Sequence, residues 1–64
     1  MIGRNIRKYR KAMGLSQEKF ARKADIPFTT LNKIEIGEIT RPRIDTVAKI
    51  AKGLKVKIDK LVNG

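Results

Sequence analysis

Between Gln17 and Ile36 the apolar residues keep helical step on either side of a break. Phe20, Ala21 and Ala24 share one face of a short helix, Asp25-Ile26-Pro27 interrupts it, and Leu31 and Ile34 resume the pattern. Ser16 is placed to cap the first of these helices, and Glu18 falls in its first turn, where a negative charge suits the dipole. That helix is expected to run to about Ala24. Asp25 must then turn the corner with a positive φ, which Asp tolerates better than most residues. Pro27 suits a helix start, because the N–H it lacks is not needed there. The second helix is expected over Phe28 to Ile36, ended by Gly37. Two short helices on a tight turn make a wedge.

The flanking segments supply more helices. Ile2, Ile6, Tyr9 and Met13 form a stripe opposite Arg4, Arg7, Lys8 and Lys11, so helix 1 is expected over Ile2–Met13 and closed by Gly14. Glu38 to Pro42 reads as a loop, since Pro42 disfavours helix at Arg41. Ile44, Val47, Ala48 and Ala51, widened by Ile50 and Leu54, predict helix 4 over Ile44–Lys52, stopped near Gly53. Val56, Ile58, Leu61 and Val62 suggest a last helix over Ile58–Val62. No segment sustains the alternation of a strand, and there are no repeats or low-complexity runs. The expected fold class is all-α: a compact five-helix domain spanning residues 1–64, with no second domain.

Sixteen Lys+Arg against six Asp+Glu give a net charge of +10 on 64 residues. Such a chain repels itself and attracts polyanions; charge alone admits DNA, RNA or anionic lipid. A groove-sized helix beside a basic surface points to nucleic acid. A chain of this length buries only about 60% of its unfolded surface, so its margin of stability is thin. With no cysteine and no histidine, disulfides and thiolate metal sites are excluded and zinc is disfavoured. No apolar run approaches the roughly 20 residues of a membrane span. Basic residues from Arg4 to Lys11 interrupt any signal-like segment, so a cytoplasmic protein is expected. The acids Glu18, Asp25, Asp45 and Asp59 suit turns and helix starts, and no nucleophile–base or paired-carboxylate arrangement exists, which argues against an enzyme. No cofactor or small-molecule substrate is implied.

The order of these elements, with Ile6, Arg10, Gly14-Leu15-Ser16-Gln17, Ala21, Ile26, Leu31, Ile34-Glu35, Gly37, Pro42, Ile50-Ala51, Leu54, Val56, Asp59 and Leu61, resembles the helix-turn-helix family of phage repressors, Cro proteins and their bacterial relatives. Arg41-Pro42-Arg43 and the closing Leu61-Val62-Asn63-Gly64 are similar to the amino-terminal domains of lambdoid repressors. There are departures. Asp25 stands where the family usually has Gly, Pro27 replaces the Ser or Thr cap of the recognition helix, and Phe28 stands where Gln is frequent. Ile36 and Lys55-Val56-Lys57 also differ from the usual residues. The resemblance implies a bacterial or phage-encoded regulator of transcription.

With Leu31 and Ile34 inward, Phe28, Thr29, Asn32 and Lys33 occupy the outer face of helix 3 and are candidates for base contact in a major groove. Lys33 can donate to guanine, Thr29 can bond or touch a thymine methyl, Asn32 can pair with adenine or hold a phosphate, and Phe28 can only pack. The other reading of Phe28 is a staple residue folded back over the core. Gln17 opens helix 2, where free N–H groups can grip a phosphate and its side chain can add a bond. The resemblance implies an ion pair between Arg10 and Glu35, with Arg10 also a candidate for a phosphate. Arg41 and Arg43 are candidates for backbone tracking or a narrow minor groove. The other readings of these side chains are an ordinary helix start and solvated surface charges.

The leading reading is a sequence-specific binder of double-stranded DNA that represses transcription. Its operator is expected to be palindromic, bound by a weak homodimer formed in solution or only on DNA. Ile36, Ile39, Val56 and Ile58 are candidates for a self-association patch. The alternative is an antitoxin or another protein-interaction module on the same fold. A membrane-surface peptide is disfavoured by the apolar stripes, which call for a globular core.

Overall fold

Among the described residues five helices follow in sequence order: α1 (Ile2–Ala12), α2 (Gln17–Ala24), α3 (Phe28–Glu35), α4 (Ile44–Leu54) and α5 (Ile58–Val62). This is a computed structural model that describes residues 2–63; Gly64, the last residue of the repressor-like closing run, lies outside them. Among the described residues there is no strand, so the all-α expectation holds. The helices fill a globule of 24 × 21 × 19 Å. α1 crosses α3, α4 and α5, while α2 packs on α3 and α4.

The core is drawn from every helix. Ile6, Phe20, Leu31, Ile34, Ile50 and Leu61 are fully buried, each contributing about 1.5–3 kcal/mol relative to exposure. Phe20, Ala21 and Ala24 face inward as expected, and so do Leu31 and Ile34.

Several boundaries and stripes differ from expectation. α4 passes through Gly53 and ends at Leu54, with Lys55 at φ 60° as its left-handed cap. Gly53 serves packing instead: a Cβ there would stand 3.1 Å from the Phe20 ring. The buried stripe of α4 is Val47, Ile50, Ala51 and Leu54, whereas Ile44 and Ala48 face solvent. On α1, Met13 is exposed and Tyr9 half-buried, and Gly3 and Arg10 take inward positions.

The α2–α3 corner forms as the sequence predicts. Asp25 adopts φ 59°, ψ 47°, and Ile26 N–H donates to Ala21 O at 3.0 Å while its side chain seals the core. The same cap recurs after α4, where Val56 N–H donates to Ala51 O at 3.1 Å. In both, a left-handed residue is followed by an aliphatic one that closes the helix end.

Candidate nucleic-acid interface

α3 is fixed from behind and open in front. Leu31 and Ile34 have no exposed surface. α1 comes close enough that a Cβ on Gly3 would collide with the carbonyl oxygen of Ile34. Further along α1, Arg10 reaches Glu35. Its Nε donates to Oε2 at 2.8 Å and its Nη2 to Oε1 at 2.9 Å, while Nη1 donates to the Leu15 carbonyl at 2.7 Å. The two side chains are 9% and 2% exposed. A bidentate guanidinium–carboxylate pair has one preferred plane, so it fixes rotation as well as separation. The expectation that Arg10 also grips a phosphate is corrected: its guanidinium is buried and donates inward from all three nitrogens.

The outer face of α3 carries Thr29 and Lys33, both exposed, with Asn32 half-buried beside them. Phe28 is 44% exposed, so it does not fold into the core; one flank borders a recess lined by Glu18, Ala21, Arg22 and Ile26 of α2 and the turn. Ile36, 65% exposed, caps α3 with αR backbone and extends this face by one position. Ile36 thus lies on the α3 face and not in the self-association patch expected of it. Counting four residues on from Asn32 finds it on the outward ridge.

α2 presents its N-terminus beside α3. Ser16 Oγ accepts from Lys19 N–H at 3.2 Å and forms the expected cap. Gln17 follows, half-buried, and its Nε2 donates to Glu35 Oε1 at 3.1 Å. The side chain is thus tied to the ion pair and keeps one amide hydrogen free. The first N–H groups of a helix have no intrahelical acceptor, and they lie at the positive end of its dipole.

The segment after α3 folds back on it. Gly37 turns with φ 87°, and Glu38 N–H and Ile39 N–H both donate to Lys33 O, at 2.9 and 3.1 Å. Ile39 packs against the core and anchors the loop. Arg41, Pro42 and Arg43 line a recess of about 290 Å³ together with Thr30 of α3, Ile39 and Thr46, which brings this loop next to α3. Arg43 Nε lies 3.4 Å from Asp45 Oδ1, but both side chains are mostly exposed, and such a pair is weak and leaves the charge available.

Of the four aliphatics expected to form a self-association patch, Ile36 is exposed, while Ile39, Val56 and Ile58 are half-buried and do not make one exposed surface with it. Those three pack against the core: Ile39 and Val56 sit in loops that close helix ends, and Ile58 opens α5. Other exposed aliphatics lie elsewhere. Ile44 is 71% and Val62 48% exposed, and they line a recess of about 410 Å³ with Ile2, Pro42, Val47 and Ile58. Asn5 was also missed; its Nδ2 donates to Leu61 O at 2.7 Å and ties α1 to α5.

A capped α2, a left-handed corner and an α3 with an open outer face make up a recognisable unit. The sequence profile described as Helix-turn-helix matches residues 6–61. The chain belongs to the helix-turn-helix family. It is similar to the HTH-type transcriptional regulator SlrR of Bacillus subtilis (strain 168), with 38% identity over 61 residues, which cover 95% of this chain and 40% of that protein. Among solved structures, the N-terminal DNA-binding domain of SinR from Bacillus subtilis superposes with a TM-score of 0.97 at 34% identity, covering 100% of this chain and 93% of that one. SinR in complex with DNA, described as the master regulator for biofilm formation, gives 0.94 at 35% identity over 97% and 98% of the two chains. SinR in its complex with the SinI protein gives 0.94 at 35% identity, with 98% of this chain and 61% of that one covered. The helix-turn-helix chain described here thus spans well under two thirds of the full-length regulator it matches. Its fold is that of a phage-repressor-like helix-turn-helix domain.

Proposed function

We propose that residues 1–64 act as the DNA-binding domain of a transcriptional repressor that recognises a specific duplex sequence. One observation carries this reading. Thr29 and Lys33 stand exposed on a helix whose opposite side, at Leu31 and Ile34, is completely buried. A short helix held from behind and bare in front can enter a major groove without unfolding anything. The relatives support it, since SinR is described in complex with DNA and SlrR as a transcriptional regulator.

In this reading Phe28, Thr29, Asn32 and Lys33 meet base edges. Gln17 with the α2 N-terminus takes one phosphate, and Arg41 and Arg43 follow the backbone or enter the minor groove. The task is binding in the cytoplasm, not catalysis, and calls for no metal or cofactor. Two copies would occupy a palindromic operator with half-sites about one helical turn apart. The Ile44–Val62 recess suits contact between them, because Pro42 belongs both to its wall and to the loop assigned to DNA. A charge of +10 per copy opposes that contact in free solution, and phosphates between the copies relieve it.

Selection from a random duplex library tests the proposal. Enrichment of a defined motif, bound less tightly as salt rises, is the expected result. Retention of all sequences alike would reject sequence-specific recognition.

A further inference from the structure

The outer face of α3 has two ridges of different chemistry. Thr29 and Lys33, four residues apart, form a polar ridge. Phe28, Asn32 and Ile36, at i, i+4 and i+8, form the adjoining one, with a large apolar side chain at each end. Ile36 keeps αR geometry (φ −84°, ψ −2°), so the helical spacing extends to it. Side chains on a helix tilt toward its N-terminus, which lays Ile36 over Asn32 and Lys33 rather than beyond the helix end.

Resting on the DNA-binding reading above, we propose that Phe28 and Ile36 are specificity residues that read thymine methyl groups on either side of the polar contacts of Thr29 and Lys33. The major-groove edges of adenine, guanine and cytosine present donors and acceptors, and the C5-methyl of thymine is the one apolar group there. An aliphatic or aromatic side chain pressed on a polar edge strips its water and returns no hydrogen bond, which is unfavourable. Pressed on a methyl, both surfaces leave water together. The two side chains therefore select A·T pairs by excluding the alternatives. Eight residues of helix separate Phe28 from Ile36, about 12 Å of rise, or roughly three to four base-pair steps of about 3.4 Å. The thymines they read lie at that separation, with the positions read by Thr29 and Lys33 between them.

The test uses the motif selected by the whole chain. Each thymine in turn is replaced by deoxyuridine, which removes only the methyl, and affinity is measured for the unaltered chain, Phe28→Ala and Ile36→Ala. Two thymines should each lose about fourfold in affinity on conversion to uracil, the worth of one buried methyl group. One loss should vanish in Phe28→Ala and the other in Ile36→Ala. Both side chains are substantially exposed, so the variants should keep the melting temperature of the parent, and a retained melting curve establishes that they fold. A defined motif whose affinity is indifferent to every thymine-to-uracil change would overturn methyl reading and leave DNA recognition standing. Uracil losses that persist unchanged in both alanine variants would also overturn it. Failure to bind any duplex would overturn both proposals.

Discussion

Arg10 of α1 and Glu35 of α3 meet in a two-point pair, with N···O distances of 2.8 and 2.9 Å, and Gln17 of α2 joins the same carboxylate at 3.1 Å. One buried acid thus holds three helices in register around the start of the wedge. The carboxylate gains three donors, which compensates for its loss of water. The pair does not have to be the most stable filling for that space. Its geometry fixes how α3 is presented, which a greasy contact of equal volume would do less strictly.

Removal of one partner should therefore be costly. Glu35→Ala leaves the Arg10 guanidinium buried and unpaired, and should destabilise the domain by about 3 kcal/mol or more. At roughly 4–8 °C per kcal/mol for a domain of this size, the melting temperature should fall by more than about 10 °C. Glu38→Ala, at an exposed position, should stay within about 0.5 kcal/mol. The paired replacement Arg10→Met with Glu35→Leu should melt above the Glu35→Ala single variant, since no charge is stranded. Thermal unfolding followed by circular dichroism checks all three, and equal shifts for Glu35→Ala and Glu38→Ala would remove the pair from the account.

Gly3 offers a test with an unusual sign. In an exposed helix Gly→Ala is stabilising by about 1 kcal/mol. At Gly3 the added methyl meets the Ile34 carbonyl oxygen, and backbone cannot yield as a flexible side chain would. Gly3→Ala should destabilise by about 2 kcal/mol as α1 is pushed off α3. Denaturant unfolding measures the change, and a stabilised variant would mean that the two helices are not in close contact.

The elements were legible wherever one physical rule decided them. Helical stripes located all five helices, Ser16 and Pro27 marked two starts, and Asp25 took the left-handed turn its side chain tolerates. Errors arose where a residue answers to a neighbour distant in sequence. Gly53 looked like a terminator because glycine ends helices, yet it sits inside α4 against Phe20. The left-handed role fell to Lys55, which has no local propensity for it. Ile39 and Val56 looked like surface aliphatics, but they close loop ends over the core. The Gln17–Glu35 bond spans eighteen residues and could be seen only once α2 and α3 were packed. The outward side of α3 was readable from Leu31 and Ile34 alone, except for Ile36, which lies just past the helix.

The exposed guanidinium groups of the α3–α4 loop should register in the salt dependence of binding. Each phosphate contact contributes about −0.9 to the slope of log affinity against log salt. Arg41→Gln and Arg43→Gln should each flatten that slope by about 1 if they meet phosphates, with affinity reduced evenly across sequences. Lys52→Gln, on the outer face of α4, should leave the slope unchanged. Titration of a labelled duplex at four or five salt concentrations measures it, and identical slopes for all three variants would take the loop out of the interface.

The central claim is that the outer face of α3 reads the base sequence. The most direct measurement is duplex-library selection repeated with Thr29→Ala and Lys33→Ala, with Lys52→Ala as the control. The account predicts that each of the first two alters the enriched motif at its own position, at a cost of about 1–3 kcal/mol for the original base pair, while the control returns the parent motif. Recovery of the parent motif by all three folded variants would contradict the account.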